Sequence, residues 1–546
     1  MDVLVVDLTH GGVKIAVELE KLGQFENIYA YDIYNTLNEN ERNKLDSYNI
    51  IIWNNEKNVL NYLDLKDKDV ELLVINPIHS YFNIFDLDNN INKNYNNTNK
   101  GDNIDNKDNI IIGELTHHQG VNLILDKWKN TLNQKIPIIE VTGVKGKTSV
   151  VSMLKEILIH KNPLVLSSLG ANLYKNGKKI ILKKNISITP ASILETVKLA
   201  KKIADPDCIK IDEFGKLDKP HYSIESKGVN DLNSDLCYGA CIFESSLGVT
   251  GLGDVGVLTN VVENYSIAKN SSNAKNAKEQ VFNCDIVIIE KETLERYYSE
   301  KINTDYNHNN YKINTFSFND KNANLFAEKV EFDLKSTNIK IIYNNIKTNS
   351  GEIIGGDLIV DTFAPGEHHV LNVLATVSTA LSCNIDKNII INGLANFNGI
   401  KGRTSLKTKE KQIIIEEINP GINTKAIEKS ISMINNINDY VVIFGGKYGV
   451  TCEEINENKV ANLFDDILYN LSDISDDELN KNEKDIQLNN KFNLILTDDL
   501  GKEIGKKMKY TVKFIEDPIE AQNLAISNKK NVLFIYRSNY SQIDKR

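Results

Sequence analysis

The residues best suited to chemistry form a short glycine-bracketed turn, VTGVKGKTS, at residues 141–149. Gly143 and Gly146 allow the backbone to curl so that successive N–H groups point inward, and the dipole of the following helix adds to the attraction for an anion. Lys147 can reach the β- and γ-phosphates of a nucleotide, and the Thr148 hydroxyl can bind Mg²⁺. The turn therefore predicts a phosphate-binding loop. Its predicted nucleotide contacts are Thr142, Gly143, Lys145, Gly146, Lys147, Thr148 and Ser149.

The turn departs from the common Walker pattern GxxxxGK[ST], because Val141 stands where that pattern has its first glycine. The competing interpretation is a plain turn between a strand and a helix that binds nothing. A Lys-Thr pair placed at the start of the helix favours phosphate binding over that alternative.

The elements that must position this loop follow an alternating pattern of strands and helices. The first residues predict a strand at 3–7, a glycine-containing turn and a helix at 13–23, followed by the strand-like runs NIYAYDIY, NIIIWNN and VELLVINPI. This spacing predicts a small open α/β domain with a Rossmann-like beginning. A chain of 546 residues exceeds what one hydrophobic core usually organises, so we expect two to three domains.

Composition and charge narrow the functional classes. Hydrophobic residues make up 41% of the chain and charged residues 25%, as in an ordinary globular protein. The net charge of -10 argues against broad binding to nucleic acid or to an anionic membrane. No basic leader and no long apolar run is evident, so the sequence predicts a cytoplasmic protein. The cysteines are scattered and are predicted to be reduced thiols: Cys208, Cys237, Cys241, Cys284, Cys383 and Cys452.

Three polar stretches interrupt the core-forming sequence, at residues 88–109, 205–236 and 470–490. Their composition is typical of surface insertions without a function of their own. Weak linkers near residues 110 and 400 divide the remainder. The predicted domains are an N-terminal substrate-binding α/β domain at 1–112, a central ATP-binding domain at 113–401 and a C-terminal Rossmann-like domain at 402–546.

Six motifs in order resemble those of the Mur ligase superfamily, the ATP-dependent ligases of cell-wall and folate metabolism. They are the VTGVKGKT loop, SITPAS, CIFESSLGVTG, the segment from DVGVLTN to AKEQVF, APGEHHVLNVLATVSTAL and GIKGRTS. Each motif alone is weak, but six in family order span nearly the whole chain. The resemblance implies an α/β fold of three domains, with a P-loop ATPase domain between two Rossmann-like domains, and it implies ATP and Mg²⁺ as cofactors.

The same resemblance implies a metal-binding set around the loop. Glu244 in the ESS motif would bind Mg²⁺ together with Thr148. Lys278 matches a family lysine that is often carbamylated to ligate a second Mg²⁺, although an exposed helix lysine is the alternative. Asn264 stands where the family has a histidine ligand of that second ion, and its amide oxygen can still bind a hard cation. The catalytic residues implied are Lys147, Glu244, Lys278 and Arg403.

Other implied contacts concern the nucleotide. Arg403 would pair with phosphate oxygens when the C-terminal domain closes. His368 and Asn372 offer neutral hydrogen-bonding groups for the base or the ribose. Glu417, or its neighbour Glu416, could accept hydrogen bonds from the ribose hydroxyls, and either could instead be an ordinary surface residue.

The N-terminal domain departs from the family pattern. The segments DLTHGG and NPIHSYF present histidines, hydroxyls and aromatics, with no obvious cradle for a diphosphate. His10 and His79 are either ordinary loop histidines or substrate ligands. His369 also replaces an asparagine of the family's adenine motif.

The N-terminal segment and VVENYSIAKNSSNAK resemble one archaeal branch of the superfamily, whose small-molecule substrate is a nickel tetrapyrrole carboxylic acid.

That branch implies an unusual reaction, in which ATP activates a propionate carboxylate and a ring carbon attacks it to close a carbocyclic ring. The first alternative is an amide-forming ligase that joins an amino acid to a carboxylate, as in peptidoglycan, pseudomurein or folylpolyglutamate synthesis. Both alternatives use the same ATP-site residues. A nucleotide-binding switch without ligase chemistry is disfavoured, because a switch does not need Glu244, Lys278 and Arg403 together.

Overall fold

A computed structural model describes residues 1–65, 71–84, 111–130, 132, 135–204, 238–267, 272–302, 312–401, 403–419, 422–434, 439–448, 455–471 and 493–538. The polar stretches predicted at 88–109 and 205–236 lie outside the described residues, and so does the one at 470–490 apart from its first two positions. The chain divides into two compact units. The first comprises Met1–Glu328, Ile341–Leu358 and Leu371–Gly393, and the second comprises Lys329–Lys340, Ile359–Val370 and Leu394–Arg546.

The N-terminal part of the first unit is a parallel five-stranded sheet in the order β3-β2-β1-β4-β5. Alternating strands and helices produce this order because right-handed crossovers return each strand parallel to its neighbour. Its elements are β1 (Asp2–Val6), α1 (Val13–Leu22), β2 (Ile28–Tyr31), α2 (Glu39–Asp46), β3 (Ile51–Trp53), α3 (Glu56–Leu65), β4 (Glu71–Asn76), β5 (Ile111–Thr116) and α4 (His117–Asn130).

A second sheet of 11 strands has the order β18-β17-β16-β15-β14-β11-β6-β10-β7-β8-β9. Strand β6 lies at its centre between β10 and β11, and the phosphate-loop sequence follows it directly. The strands are β6 (Ile138–Thr142), β7 (Leu164–Ser167), β8 (Gly170–Lys175), β9 (Lys178–Lys183), β10 (Cys241–Glu244), β11 (Val255–Leu258), β14 (Ile286–Glu290), β15 (Lys312–Ser317), β16 (Leu325–Glu331), β17 (Thr337–Lys347) and β18 (Ile353–Thr362), and a separate two-stranded sheet pairs β12 (Ser266–Ile267) with β13 (Ser272–Asn273).

Three of the helices in this region, Lys147–Ile157, Pro190–Ala204 and Lys291–Tyr297, pack against strands of this sheet. All five residues of β6 are buried, which is typical of a central strand covered on both faces. The helices are α5 (Lys147–Ile157), α6 (Pro190–Ala204), α7 (Ala274–Lys278), α8 (Lys291–Tyr297), α9 (Glu367–Ser382) and α10 (Lys387–Ala395).

The second unit contains a six-stranded sheet in the order β19-β20-β24-β21-β22-β23. It is parallel except for the β19–β20 hairpin, as in a Rossmann-like domain with one antiparallel edge strand. Its elements are β19 (Ser405–Lys409), β20 (Gln412–Ile418), α11 (Thr424–Ser432), β21 (Tyr440–Gly446), α12 (Glu457–Leu471), β22 (Asn493–Thr497), α13 (Asp498–Lys507), β23 (Lys513–Phe514), α14 (Pro518–Ser527) and β24 (Asn531–Arg537).

The predicted division into three domains stays a prediction. Strand β5 pairs along its whole length with β4, so the first sheet continues to Thr116, which lies beyond the predicted domain boundary at residue 112. The cysteines that the structure describes, Cys241, Cys284 and Cys383, are free thiols, as predicted. Within the described parts of the chain, no helix is both long enough and apolar enough to cross a membrane.

Candidate nucleotide and metal site

The candidate site begins where three neighbouring parallel strands end. Glu244 at the end of β10 is in register with Val141 of β6, and Leu258 of β11 is in register with Thr142. The carboxyl ends of these strands therefore meet at one edge of the sheet, where ligands bind in open α/β folds. This register brings Glu244 next to the phosphate loop from about 100 positions away in the sequence.

The phosphate loop has the backbone that its glycines predict. Gly143 has φ 143° and Gly146 has φ 83°, values that favour glycine over residues with a side chain. A Cβ added to Gly143 would lie 1.9 Å from Thr259 Oγ1, and one added to Gly146 would lie 2.1 Å from Asn372 Oδ1. Both glycines are thus required by close neighbours as well as by the turn. Asn372, a predicted nucleotide contact, lies beside the loop.

The two residues that follow β11, Thr259 and Asn260, form hydrogen bonds with the phosphate loop. Thr259 Oγ1 donates to the Lys145 carbonyl at 2.6 Å, and Asn260 Oδ1 accepts from the Lys145 N–H at 3.1 Å. The Val144 N–H donates to the Asn260 carbonyl at 3.0 Å. Sequence reasoning placed this Thr-Asn pair inside a family motif but gave it no role. Its role in the structure is to fix the shape of the loop.

The predicted metal ligands Thr148 and Glu244 are in direct contact. Thr148 Oγ1 donates to Glu244 Oε1 at 2.9 Å, and the Ser168 N–H donates to Glu244 Oε2 at 3.0 Å. Thr148 and Glu244 are only 2% and 1% exposed. A buried carboxylate held by two donors is pre-oriented, and a hydroxyl beside it completes a pair of oxygens suited to Mg²⁺. Ser168 was not anticipated from the sequence.

Two lysines face this part of the site. Lys147 Nζ donates to the Gly143 carbonyl at 3.0 Å, so its side chain folds back over the loop. Lys278 Nζ donates to the Ser246 carbonyl at 2.8 Å, and its side chain is fully buried. Burial, and then the charge of Lys147, lower the pKa of Lys278 to about 7. The exposed-lysine alternative for Lys278 is therefore wrong, and a large share of its amine is neutral near pH 7.

Asn264 differs from Thr148 and Glu244 in that its side chain is exposed. Its Oδ1 accepts a hydrogen bond from the Lys275 N–H at 2.8 Å. This bond ties the segment before β12 to helix α7, which carries Lys278. Its assignment as a metal ligand stays a prediction.

A pair of histidines at the start of α4 connects the first sheet with the site. His117 Nε2 lies 2.8 Å from the Val6 carbonyl, and His118 Nε2 lies 3.5 Å from Ser245 Oγ, next to Glu244. Burial lowers the pKa of His117 to about 4 and that of His118 to about 3. Both imidazoles are therefore neutral near pH 7. The sequence gave no signal for them, because the contact depends on how β5 leads into α4.

Glu140 is a second buried carboxylate close to the loop, and its role is structural. It accepts hydrogen bonds from the N–H groups of Thr250, Gly251 and Gly253 and from the Thr250 hydroxyl. Burial raises its pKa, and these hydrogen bonds oppose that rise. The residue shapes the turn between β10 and β11 and so supports both strands that flank β6.

The remaining predicted contacts lie in the second unit. Burial, with the charge of Lys429, lowers the pKa of His368 to about 4, so its imidazole is a neutral hydrogen-bonding group near pH 7, as the sequence analysis assumed. Thr404 Oγ1 donates to Glu417 Oε2 at 2.5 Å. Arg403 is exposed. The nucleotide roles of His368, Glu417 and Arg403 stay predictions.

Glu416 and His369 are buried rather than ordinary surface residues. Glu416 is 5% exposed, and its Oε1 accepts from Lys407 Nζ at 2.8 Å. His369 is 6% exposed, and its Nδ1 has no hydrogen-bond partner among the described residues. Such an orphaned buried nitrogen is a group that a ligand could satisfy.

The residues around the phosphate loop in the first unit are chemically suited to bind a nucleoside triphosphate together with Mg²⁺. Gly143 and Gly146 have φ values of 143° and 83°, and the loop that they form leads directly into the N-terminus of α5, where backbone N–H groups can bind phosphate. Thr142 Oγ1 is buried without a partner in the described part of the chain. The contacting pair Thr148 and Glu244 supplies hard oxygen ligands.

A P-loop on the central strand of a large sheet, with a parallel sheet before it and a Rossmann-like sheet after it, defines the class as the three-domain Mur ligase architecture. A crystal structure of MurF from Acinetobacter baumannii shares this fold, with a TM-score of 0.50 and 14% sequence identity. The match covers 88% of this chain and 90% of that one.

Sequence comparison is more specific than the fold. Residues 406–539 match the family model described as coenzyme F430 synthetase CfbE, C-terminal domain. The coenzyme F(430) synthetase of Methanocaldococcus jannaschii is 26% identical over 462 residues, covering 84% of this chain and 86% of that protein. The coenzyme F(430) synthetase of Methanosarcina acetivorans is 28% identical over 281 residues, which are 51% of this chain and 46% of that protein.

The chain thus spans less than half the length of the Methanosarcina relative that it matches and most of the Methanocaldococcus relative. The resemblance to the Mur ligase superfamily, and within it to coenzyme F(430) synthetases, is confirmed.

Proposed function

We propose that this chain is an ATP-dependent ligase that activates a carboxylate as an acyl phosphate. The observation that carries this proposal is the contact between Thr148 and Glu244 at the mouth of the phosphate loop. This pair supplies the hydroxyl and carboxylate oxygens with which P-loop enzymes hold the Mg²⁺ of a nucleoside triphosphate, and the Ser168 N–H orients the carboxylate. The fully buried Lys278, whose pKa is lowered to about 7, supports the same proposal, because the neutral form of its amine can be carbamylated to give another oxygen ligand.

We further propose that the substrate is a nickel tetrapyrrole that carries a propionate side chain. The support is the resemblance to coenzyme F(430) synthetases over most of the chain. The N-terminal domain predicted at residues 1–112 would bind this substrate, the central domain at 113–401 would bind ATP, and the C-terminal domain at 402–546 would complete the nucleotide contacts. Residues 406–539 match the synthetase family in this last region.

The proposed reaction has two steps. A propionate oxygen attacks the γ-phosphorus of ATP, the bond to the bridging oxygen breaks, and ADP leaves. A ring carbon then loses a proton and attacks the acyl carbonyl, so that a carbon–carbon bond forms and phosphate leaves. A carboxylate is a poor electrophile near pH 7, and the acyl phosphate supplies the leaving group that ring closure needs. Because both reacting groups belong to one molecule, positioning and exclusion of water are the main tasks of the protein.

The residues of the first unit divide these tasks. The loop N–H groups and Lys147 would bind the β- and γ-phosphates and stabilise the charge that develops during transfer. Thr148 and Glu244 would hold one Mg²⁺, a carbamylated Lys278 would help to hold a second, and these ions would neutralise phosphate charge and orient the γ-phosphate. The buried neutral His118 beside Ser245 would add a polar group near Glu244 without adding charge.

The test is to measure which carboxylic acid stimulates ADP release from Mg·ATP, and whether an amine is required. The panel would contain the nickel seco-acid precursor, UDP-N-acetylmuramate and a folate, each with and without a mixture of amino acids. Stimulation by the nickel precursor alone is the expected result. Stimulation only when an amino acid and one of the other acids are present would instead establish the amide-forming alternative. The Lys147→Ala variant controls for contaminating ATPases.

A further inference from the structure

Three side chains of the N-terminal sheet converge on one point outside the nucleotide site. His10 Nδ1 lies 2.7 Å from Asp7 Oδ2, His79 Nε2 lies 2.9 Å from the same oxygen, and the two nitrogens lie 3.1 Å apart. Asp7 follows β1 and His79 follows β4, so the carboxyl ends of two adjacent parallel strands bring them together. This group of Asp7, His10 and His79 is hereafter the N-terminal triad.

The backbone around the N-terminal triad is fixed in advance. Asp7 has φ 63°, an uncommon value for a residue with a side chain, and such strain concentrates at functional sites. The Thr9 N–H donates to Asp7 Oδ1 at 3.0 Å and leaves Oδ2 directed at the histidines. Gly11 has φ 106°, and a Cβ there would lie 2.4 Å from Ala191 Cβ, so the turn is packed tightly against α6. The hydrogen bond from Thr9 thus orients the Asp7 carboxylate, just as hydrogen bonds from neighbouring groups orient the residues that ligate metals in other proteins.

The spacing of the three atoms fits one face of an octahedral metal ion. Ligand atoms about 2.1 Å from a metal and at right angles to one another are separated by about 3.0 Å. The three observed separations are 2.7, 2.9 and 3.1 Å. The side chain of Asp7 is 0% exposed, whereas those of His10 and His79 are 48% and 28% exposed. One side of the N-terminal triad is therefore open, which leaves coordination positions for water or for an oxygen of a ligand.

We propose that Asp7 Oδ2, His10 Nδ1 and His79 Nε2 bind one divalent transition-metal ion. Two imidazoles with one carboxylate suit Zn²⁺, Co²⁺, Ni²⁺ or Fe²⁺, whereas Mg²⁺ prefers oxygen ligands alone. This site is separate from Thr148 and Glu244, and the proposal does not depend on ligase activity.

The experiment titrates the full-length, tag-free protein with Zn²⁺ by calorimetry after chelator treatment and dialysis. Saturating Mg²⁺ is present throughout, so that oxygen-rich sites are already filled. Co²⁺ is used in parallel, because its visible spectrum reports the ligands. The variants are His10→Gln, His79→Gln and Asp7→Asn. The matched control is His160→Ala, which removes an exposed histidine outside the N-terminal triad. Circular dichroism checks that each variant is folded.

The wild-type chain and His160→Ala should bind one equivalent of Zn²⁺ with the same affinity. His10→Gln and His79→Gln should lower that affinity at least about tenfold, since even outer-shell partners of metal ligands typically contribute that much. His10 is the most exposed member, so its variant keeps the test decisive if Asp7→Asn fails to fold. The proposal would be overturned if the wild-type chain did not bind Zn²⁺ stoichiometrically, or if His10→Gln and His79→Gln bound Zn²⁺ as tightly as the wild-type chain.

Discussion

At the scale of single residues, Lys147 offers a direct test of the phosphate loop. Replacement by Ala should lower substrate-dependent ADP formation by about 100-fold or more, because a preorganised charge acts most strongly on the transferring phosphoryl group. The fold should be unchanged, since the bond that Lys147 makes to the Gly143 carbonyl lies within the loop. Lys178→Ala, on the exposed β8–β9 hairpin, is the matched control. Near-normal activity of folded Lys147→Ala would remove the basis of the loop assignment.

Glu244 should behave as a direct ligand rather than as a source of general negative charge. Glu244→Gln keeps the size of the side chain, but it loses the charge and places an amide nitrogen against Thr148 Oγ1 or the Ser168 N–H. We expect turnover to fall by about 100-fold and to stay low when Mg²⁺ is raised, because the ion would lose its orientation as well as its affinity. Turnover is measured by ADP release across a Mg²⁺ series. Full recovery at high Mg²⁺ would give Glu244 only a peripheral role.

We expect Lys278 to contribute to activity only after the neutral form of its amine has been carbamylated. Its lowered pKa of about 7 means that the protonated amine dominates below that pH and the neutral amine above it. At a fixed concentration of dissolved CO₂, the species that carbamylates an amine with loss of a proton, activation should therefore be faster at pH 8 than at pH 6. Lys278→Ala should lose most activity and regain part of it with a short-chain carboxylic acid that restores an oxygen near the metal site. Full activity of Lys278→Ala without the acid would contradict the carbamate.

The sequence predicted Lys147, Glu244 and Lys278 as site residues, but it did not predict the contacts that these side chains make. Lys147 and Thr148 follow from spacing alone, since they lie within one turn of the same helix. Glu244 needed the family motif, and only the parallel register of β6 with β10 shows that it contacts Thr148. The burial of Lys278 could not be read from NAKNAKEQ, because a short lysine-rich helix is usually exposed and only tertiary packing covers it.

At the scale of elements, the turn between β6 and α5 depends on two features of Gly146: its positive φ and the absence of a Cβ next to Asn372. Two glycine variants can separate these features. Gly146→Ala would strain a backbone at φ 83° and would also collide with Asn372 Oδ1. Gly177→Ala, at φ 76° in the β8–β9 turn, has open space around the new Cβ and tests backbone strain alone. We expect Gly177→Ala to destabilise the fold by about 1 kcal/mol. Gly146→Ala should cost more and should also weaken ATP binding.

Denaturant unfolding measures the stability of both glycine variants, and equilibrium dialysis measures their ATP binding. Gly177→Ala is expected to bind ATP normally, since its turn lies away from the loop in sequence and has no role in the proposed site. Equal stability and equal ATP affinity of the two variants would show that the contact with Asn372 does not shape the loop.

Elements with strong local patterns were predicted well. The first strand and helix and the three strand-like runs after them correspond to β1, α1, β2, β3 and β4. The predicted domain boundary at residue 112 stays a prediction. The pairing of β5 with β4 was not predicted, because β5 follows a polar stretch and its pairing is not visible in composition. The Thr259–Asn260 contacts with the loop were also beyond prediction, since they join segments about 115 positions apart.

At the scale of the whole molecule, the sequence resemblance and the fold agree on the class of protein, and the chemistry is the remaining claim. The ATP-site residues serve either a carbon–carbon or an amide bond, because both begin with the same acyl phosphate. Two sequence features led us to favour ring closure: Asn264 stands where the superfamily has a histidine, and the segments DLTHGG and NPIHSYF present no obvious diphosphate cradle. A measurement of the bond that is formed therefore tests the account better than any variant of the phosphate loop.

The most direct measurement mixes the protein, Mg·ATP and the nickel seco-acid precursor with no amino acid or other amine present. The visible spectrum follows the macrocycle, and chromatography with mass spectrometry counts ADP, phosphate and product. The account predicts a spectral shift, a product lighter than the precursor by one water, and one ADP and one phosphate for each ring closed. An unchanged macrocycle, together with amide formation when an amino acid and another carboxylic acid are supplied, would contradict it.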